Sequence, residues 1–396
     1  MSRPVKGFRF SGVHAGIKPD GALDLALLVA DEPAVAAGVF TRNRVRAAPV
    51  VISERRLKAG ICQAILVNSG NANACTGKQG QERALTSTRA VASALGTATK
   101  LVVPASTGVI GVQLPHKTIE AAIPSLVSGL SAGGASPFSL AIMTTDRRPK
   151  IAETEVKVGR TSCRVLGIAK GAGMIHPNMA TTLAFVITDA AIGQRTLQRF
   201  LGRATGRTFN RATVDGDTST NDSIYALASG AALVRRIDEK SAAGKRFGVA
   251  LEEVLESLTK MIVADGEGAE HLVRIEVEGA RTDADAIQIA RTIACSQLVK
   301  TAIHGCDPNW GRILAAAGRS GARFNPDHVS IRIGKVAIFR EGRLTMTPKI
   351  EATAAVTMKR QEYIIYVRVG KGRGLGHYWT CDLGHEYVRI NADYRT

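Results

Sequence analysis

The chain has 396 residues, 45% of them hydrophobic and 22% charged, enough to bury a large core in two or three domain-sized units. Its 52 Lys and Arg against 34 Asp and Glu give a formal charge of +18, the electrostatic footprint of a nucleic-acid binder. The basic residues are dispersed, however. The densest runs, RRLK at 55–58 and RRPK at 147–150, come with no helix-turn-helix, zinc-finger or aromatic-interleaved pattern, so nucleic acid is not expected as a partner and a surface favouring anionic metabolites is.

In chain order, the first 25 residues hold no apolar stretch of signal-peptide length, and no later run reaches about 18 apolar residues. A cytoplasmic chain without membrane contact is expected. Short apolar runs bounded by turn residues predict strands within 64–73 (AILVNSGNAN), 101–111 (LVVPASTGVIG), 182–190 (TLAFVITDA), 329–339 and 362–370. Segment 128–137 (SGLSAGGASP) and the surroundings of Gly159 read as loosely ordered. Val249, Leu251, Val254, Leu255, Leu258 and Ile262 predict one helix over 247–264, and a second with an acidic start covers 283–303. Asp307-Pro308 before Trp310 reads as a capped helix start. Strands mixed irregularly with long helices predict α+β layers in preference to a regular βαβ array. Six cysteines (Cys62, Cys75, Cys163, Cys295, Cys306 and Cys381) stand singly, so reduced thiols and no structural metal are expected.

The stretch KGAGMIHPNMATTLAF, 170–185, puts two adjacent threonines at the threshold of a buried strand. A hydroxyl nucleophile needs a base, and His176 beyond a proline turn is the only candidate nearby in sequence. Cleavage of the Ala180-Thr181 bond would supply another, because the freed α-amine, with a pKa near 8, shares a residue with the Thr181 hydroxyl. Small Ala180 leaves that hydroxyl room to attack the preceding carbonyl, starting an N→O acyl shift that ends in hydrolysis. The residues alone fit a strand edge rich in threonine better. Two other stretches are set aside. In DGDTSTND, Asp215, Asp217 and Asp222 lack the later glutamate of a calcium loop and read as turn and cap residues. GKGRGLG at 370–376 follows a strand without opening a helix, so it is no dinucleotide site.

The 170–185 stretch resembles the cleavage region of the bacterial ornithine acetyltransferases, or glutamate N-acetyltransferases, of arginine biosynthesis. NSGNANACTG, STGVIG, IMTTD, FNRATVDGDTSTND, DGEGAE, LVKTAIHGCDPNWGRI and YVRINADYRT match in the same order over nearly the whole chain. The resemblance implies a four-layer αββα sandwich like that of the N-terminal nucleophile hydrolases. It also implies cleavage into an α segment, 1–180, and a β segment, 181–396, with Thr181 as nucleophile and Thr107 and Gly108 as oxyanion hole. Substrate contacts implied in the same way are Thr144, Thr145, Lys170, Thr181, Glu267, Asn391 and Thr396. They suit a substrate with a carboxylate at one end and an ammonium at the other: Lys170 and Asn391 match the first, Glu267 the second.

The expected activity is therefore acetyl transfer from N2-acetyl-L-ornithine to L-glutamate through acetyl-Thr181. No cofactor is expected, although acetyl-CoA is a candidate second donor, and the assembly implied is an α2β2 heterotetramer. An aminopeptidase or amidase on the same self-cleaving scaffold is the nearest rival, and a basic nucleic-acid-binding protein without catalysis the rival of another class.

Overall fold

The computed structural model describes residues 4–176 and 182–393. Strand β1 (Phe8–Val13) lies antiparallel to the first half of β2 (Leu25–Phe40). At 16 residues β2 is long enough to serve both layers of one eight-stranded sheet, and its register breaks between Val29 and Ala34. After α1 (Ala48–Leu57), β3 (Ile61–Asn68) pairs with β2, and after α2 (Gly77–Leu95), β4 (Val102–Ser106) lies parallel to β3. Helices α3 (His116–Ser128) and α4 (Ala135–Ala141) lead to the hairpin β5 (Lys150–Val158) and β6 (Thr161–Lys170). Strand β7 (Leu183–Thr188) is antiparallel to β6. Past α5 (Gln194–Arg207), β8 (Ser223–Ala228) runs parallel to β7 and closes on the second half of β2. Helix α6 (Ala242–Ala264) completes this unit.

Alternation along the strands sorts their side chains into apolar layers. Phe10, Ile65, Val67 and Val103 from one layer of the sheet meet Ile168, Phe185, Tyr225 and Leu227 from the other. Phe185 stacks on Tyr225 at 5.5 Å and meets Phe138 of α4 edge-on at 5.1 Å. Leu25, Leu27, Leu66 and Val102 face outward onto α2 and α3, while Val165, Ala184, Val186 and Ala226 face α5 and α6. The order is helix, sheet, sheet, helix: the αββα sandwich expected. Both cores contain residues from before 177 and after 181, so the two halves of the chain share one sheet and one interior.

A second sheet adds to that expectation. It is built from β9 (Leu272–Ala280), β10 (Ser330–Ile333), β11 (Val336–Arg340), β12 (Arg343–Leu344), β13 (Glu362–Arg368) and β14 (Gly374–Cys381) in the order β12-β11-β10-β13-β9-β14. Its own core joins it to α7 (Asp283–Ala294), α8 (Gln297–His304), α9 (Trp310–Gly318) and α10 (Pro348–Met358). Trp379 and Cys381 of β14 reach the sandwich core instead, and α11 (His385–Asp393) ends the described chain.

Four local expectations change. The helix over 283–303 is two helices broken at extended Ser296, which lets Lys300 donate to Thr380 and the Cys381 carbonyl. Val249 is 58% exposed, because the buried stripe of α6 starts at Phe247 and Ala250. Segment 128–137 is ordered: Ser131 and Phe10 exchange both backbone hydrogen bonds, at 2.9 and 3.0 Å. The cap of α9 is Asn309, whose Oδ1 accepts from the Arg312 N–H at 3.0 Å.

Candidate active site

Strand β6 ends, and β7 and β8 begin, at one edge of the sandwich, where a cavity of about 240 Å³ opens. Strand ends converge there because parallel β7 and β8 start side by side while antiparallel β6 arrives. The cavity brings together Thr107 and Gly108 after β4, Thr144 and Thr145 after α4, Lys170 at the end of β6, Glu267 after α6 and Asn391 on α11. Ala180, Thr181 and Thr396 lie outside the described residues.

The turn after β4 leaves a donor free. Thr107 N–H donates to Asn68 O at 3.0 Å and Val109 N–H to Gly70 O at 3.3 Å, while the Gly108 N–H between them has no partner among the described residues. Gly108 has φ +131°, and a Cβ there would fall 2.3 Å from the Gly70 carbonyl carbon and 2.5 Å from Asn71 N. Only glycine fits. Asn221 braces the turn, donating from Nδ2 to Ala72 O at 2.7 Å and Ser106 O at 2.8 Å. Thr107 Oγ1 accepts from Lys170 Nζ at 2.9 Å, which leaves its own proton for another acceptor.

Lys170 Nζ also donates to Thr144 Oγ1 at 2.7 Å, so of the two adjacent threonines Thr144 is the one it holds. Burial pulls the Lys170 ammonium below its ordinary value, against the attraction of Asp146, Asp222 and Glu267. Beneath it, Asp146 Oδ1 accepts from Lys150 Nζ at 2.6 Å and Gly171 N–H at 2.7 Å, and Oδ2 accepts from Thr144 N–H at 3.0 Å. Lys150 donates equally to Asp265 at 2.6 Å, and all three side chains are fully buried. Burial by itself would raise the Asp146 carboxyl. The charges of Lys170 and Lys150, with the bonds from Lys150 and Thr144, overcome it and hold the group at about 2.

The opposite wall is acidic. Glu267 Oε2 accepts from Asn391 Nδ2 at 2.8 Å, and a Cβ on Gly173 would sit 2.4 Å from the Glu267 carboxyl carbon, so glycine clears the space. Asp215 accepts N–H groups from Met174, Ile175 and Asp217 at 2.6, 2.9 and 3.1 Å, the turn-forming role expected of it. His176 is neutral: burial and Arg291 push it down to about 4, and its Nε2 accepts from Arg291 at 2.7 Å. Its lone pair is therefore committed to shaping the loop.

Asn221 and the Asp146–Lys150–Asp265 cluster were not among the residues expected at the site, and Asp222, expected as a turn or cap residue, lines the cavity. Only position inside the motifs IMTTD, DGEGAE and TSTND could have flagged Asp146, Asp265, Asn221 and Asp222, and Lys150 stands in none of them. Among the described residues, Glu270, His304 and Asp382 bring candidate metal-ligand atoms within 4.8 Å of one another, away from the cavity. Both Asp382 oxygens are already engaged, one by the N–H groups of Glu270 and His271 and the other by His304 Nδ1, each at 2.8 Å.

A backbone N–H unpartnered among the described residues, a lysine-held hydroxyl and an acidic wall at the strand ends of an αββα sandwich are the equipment of an acyl-transferring enzyme. The chain belongs to the ArgJ family, whose model matches residues 9–396. It is 48% identical over 392 residues to the arginine biosynthesis bifunctional protein ArgJ of Geobacter sulfurreducens, covering 99% of this chain and 100% of that one. The protein of the same name from Thermosynechococcus vestitus is 47% identical over 406 residues, covering 99% and 97%. The crystal structure of ArgJ from Bacillus halodurans is similar at 43% identity and a TM-score of 0.51, over 53% of this chain and 98% of that one.

Proposed function

We propose that this protein moves the acetyl group of N2-acetyl-L-ornithine to L-glutamate through an ester on Thr181, releasing L-ornithine and N-acetyl-L-glutamate in arginine biosynthesis. The observation that carries this is Lys170 binding Thr107 and Thr144 beside the Gly108 N–H, which has no partner among the described residues. In this reading Gly108 N–H and Thr107 Oγ–H stabilise the oxyanion formed when the Thr181 hydroxyl attacks the acetyl carbonyl, and the α-amine of Thr181 takes the hydroxyl proton. Lys170 with Thr144 and Thr145 faces the carboxylate of the substrate, while Glu267, oriented by Asn391, faces its ammonium, with Thr396 as the remaining contact. An ester keeps enough reactivity for an amine to take the acetyl group, provided that water is kept out.

Thr181 is freed by cleavage after Ala180, leaving segments 1–180 and 181–396 that stay joined because β7 lies between β6 and β8. The length of the Bacillus halodurans chain supports this: it aligns almost completely yet covers 53% of 396 residues, about 210, close to the 216 of the second segment. Two such pairs assemble as α2β2 in the cytoplasm, where six free thiols stay reduced. Relatives carrying the word bifunctional support acetyl-CoA as a second donor to the same threonine.

The test is a denaturing gel with N-terminal sequencing, followed by mass spectrometry after N-acetylornithine alone. Two bands, the larger beginning Thr181-Thr182-Leu183, and one acetyl group on it that glutamate removes much faster than water, are expected. A single full-length active chain overturns the cleavage. Acetate release that glutamate does not alter would assign a hydrolase instead.

A further inference from the structure

Asp222 differs from the other acids of the cavity. Both Asp215 oxygens and Glu267 Oε2 accept from N–H groups, whereas Asp222 is 3% exposed and its Oδ2 has no hydrogen-bond partner among the described residues. Among the described residues Ser219 bonds to its carboxyl, and Lys170 is the charge that acts on it. Its position is fixed by register: Leu183 pairs with Ser223, and Ser223 N–H donates to Thr182 O at 2.9 Å. Asp222 therefore stands beside Thr182, the residue after the proposed nucleophile, and Thr182 Oγ1 is likewise unpartnered. A buried carboxyl oxygen without a donor is costly, and one retained in a substrate cavity either carries a proton or meets a donor that arrives with the substrate.

The reaction leaves one proton unassigned. The Thr181 α-amine takes the hydroxyl proton and passes it to the departing nitrogen, so ornithine leaves as a neutral amine and must gain another. Glutamate arrives as an ammonium and must lose one before its nitrogen can attack. We propose that Asp222 carries this proton between the two half-reactions.

The proposal rests on the acetyl-Thr181 reading, and its protons balance. In the first half, the bond from Thr181 oxygen to acetyl carbon forms and the amide C–N bond breaks. The Asp222 carboxylic acid then protonates the departing amine, becoming a carboxylate. In the second half, that carboxylate takes a proton from the glutamate ammonium, the new N–C bond forms and the ester C–O bond breaks. The α-amine conveys the second proton of the attacking nitrogen to the Thr181 oxygen. Asp222 ends as it began, and no proton is exchanged with solvent. Burial pushes its carboxyl well above the usual carboxylate range, as a resting acid requires, and the hydrogen bond from Ser219 and the Lys170 charge favour the carboxylate formed midway.

The decisive comparison uses processed Asp222→Asn enzyme with two substrate pairs. Transfer from N-acetylornithine to glutamate falls by about 10²-fold or more. Transfer from p-nitrophenyl acetate to hydroxylamine, where the leaving group needs no proton and the acceptor is already uncharged, changes by less than about threefold. An equal fall in both pairs, or no fall in either, overturns the proposal. A second measurement needs no variant. Wild-type enzyme mixed with N-acetylornithine in weak buffer with a pH indicator releases its first ornithine without taking up a proton; uptake of one proton per ornithine overturns the proposal while leaving the acetyl-enzyme intact. Wild-type protein that never acquires an acetyl group overturns the parent reading and this one with it.

Discussion

Replacing Asp146 by Asn tests how the buried ion cluster supports the cavity. Both carboxylate oxygens face donors only: Lys150 Nζ and Gly171 N–H on one, Thr144 N–H on the other. A carboxamide turned either way sets its NH2 against at least one of them. Two routes give the size of the loss. The carboxyl is held at about 2 against an ordinary 3.8, and at roughly 1.36 kcal/mol per pH unit that interval is worth about 2 kcal/mol. Breaking a buried ion pair costs about 3–5 kcal/mol, lessened here because Lys150 keeps Asp265 at 2.6 Å. A destabilisation of about 2–3 kcal/mol at neutral pH is expected. Because the folded carboxyl is depressed, its contribution is complete above 3.8 and drains away as pH falls through 2. Urea unfolding of processed wild type and Asp146→Asn between pH 7 and 3 measures this, and the difference should shrink by about 1 kcal/mol by pH 3. A difference below about 0.5 kcal/mol at neutral pH, or one that pH does not alter, would refute the reasoning.

Gly108→Ala forces a Cβ to within 2.3 Å of the Gly70 carbonyl carbon, so the turn must move and kcat should drop by about 10²-fold or more with KM little changed. Wild-type kcat in this variant would show that the Gly108 N–H is not an oxyanion donor. Lys170→Met removes a buried ammonium whose pKa is depressed in the folded state, a charge whose cost to stability is complete below its folded value and fades as pH rises from there to the ordinary 10.5. Thermal melts at pH 7 should therefore show unchanged or raised stability while kcat falls about 10²-fold. A destabilised variant with full activity would contradict both expectations.

Local pattern was enough for the layers. The alternation in TLAFVIT is the alternation that buries Phe185 between the sheets and Val186 against α5 and α6, and the spacing of Leu251, Val254 and Leu258 is the buried stripe of α6. It was not enough for the site: Thr107, Gly108, Thr144, Thr145, Lys170, Glu267 and Asn391, which the fold gathers around one cavity, were brought forward by the resemblance that the ordered motifs carry. The second sheet was not legible as a separate layer, because strand runs such as EYIIYVR carry no mark of which sheet receives them. Nor were the pairings. Lys170 meets Thr107 across 63 residues and Thr144 across 26, Asn221 reaches Ser106 across 115, and Lys150 reaches Asp265 across 115. Apolar periodicity follows from the geometry of a single strand or helix and can be read from neighbours in the chain. What a polar side chain is bonded to, and whether an acid such as Asp222 is left unpaired in a cavity, depends on which strand ends the tertiary fold brings together, because a polar group costs or contributes free energy only through the partners packed around it.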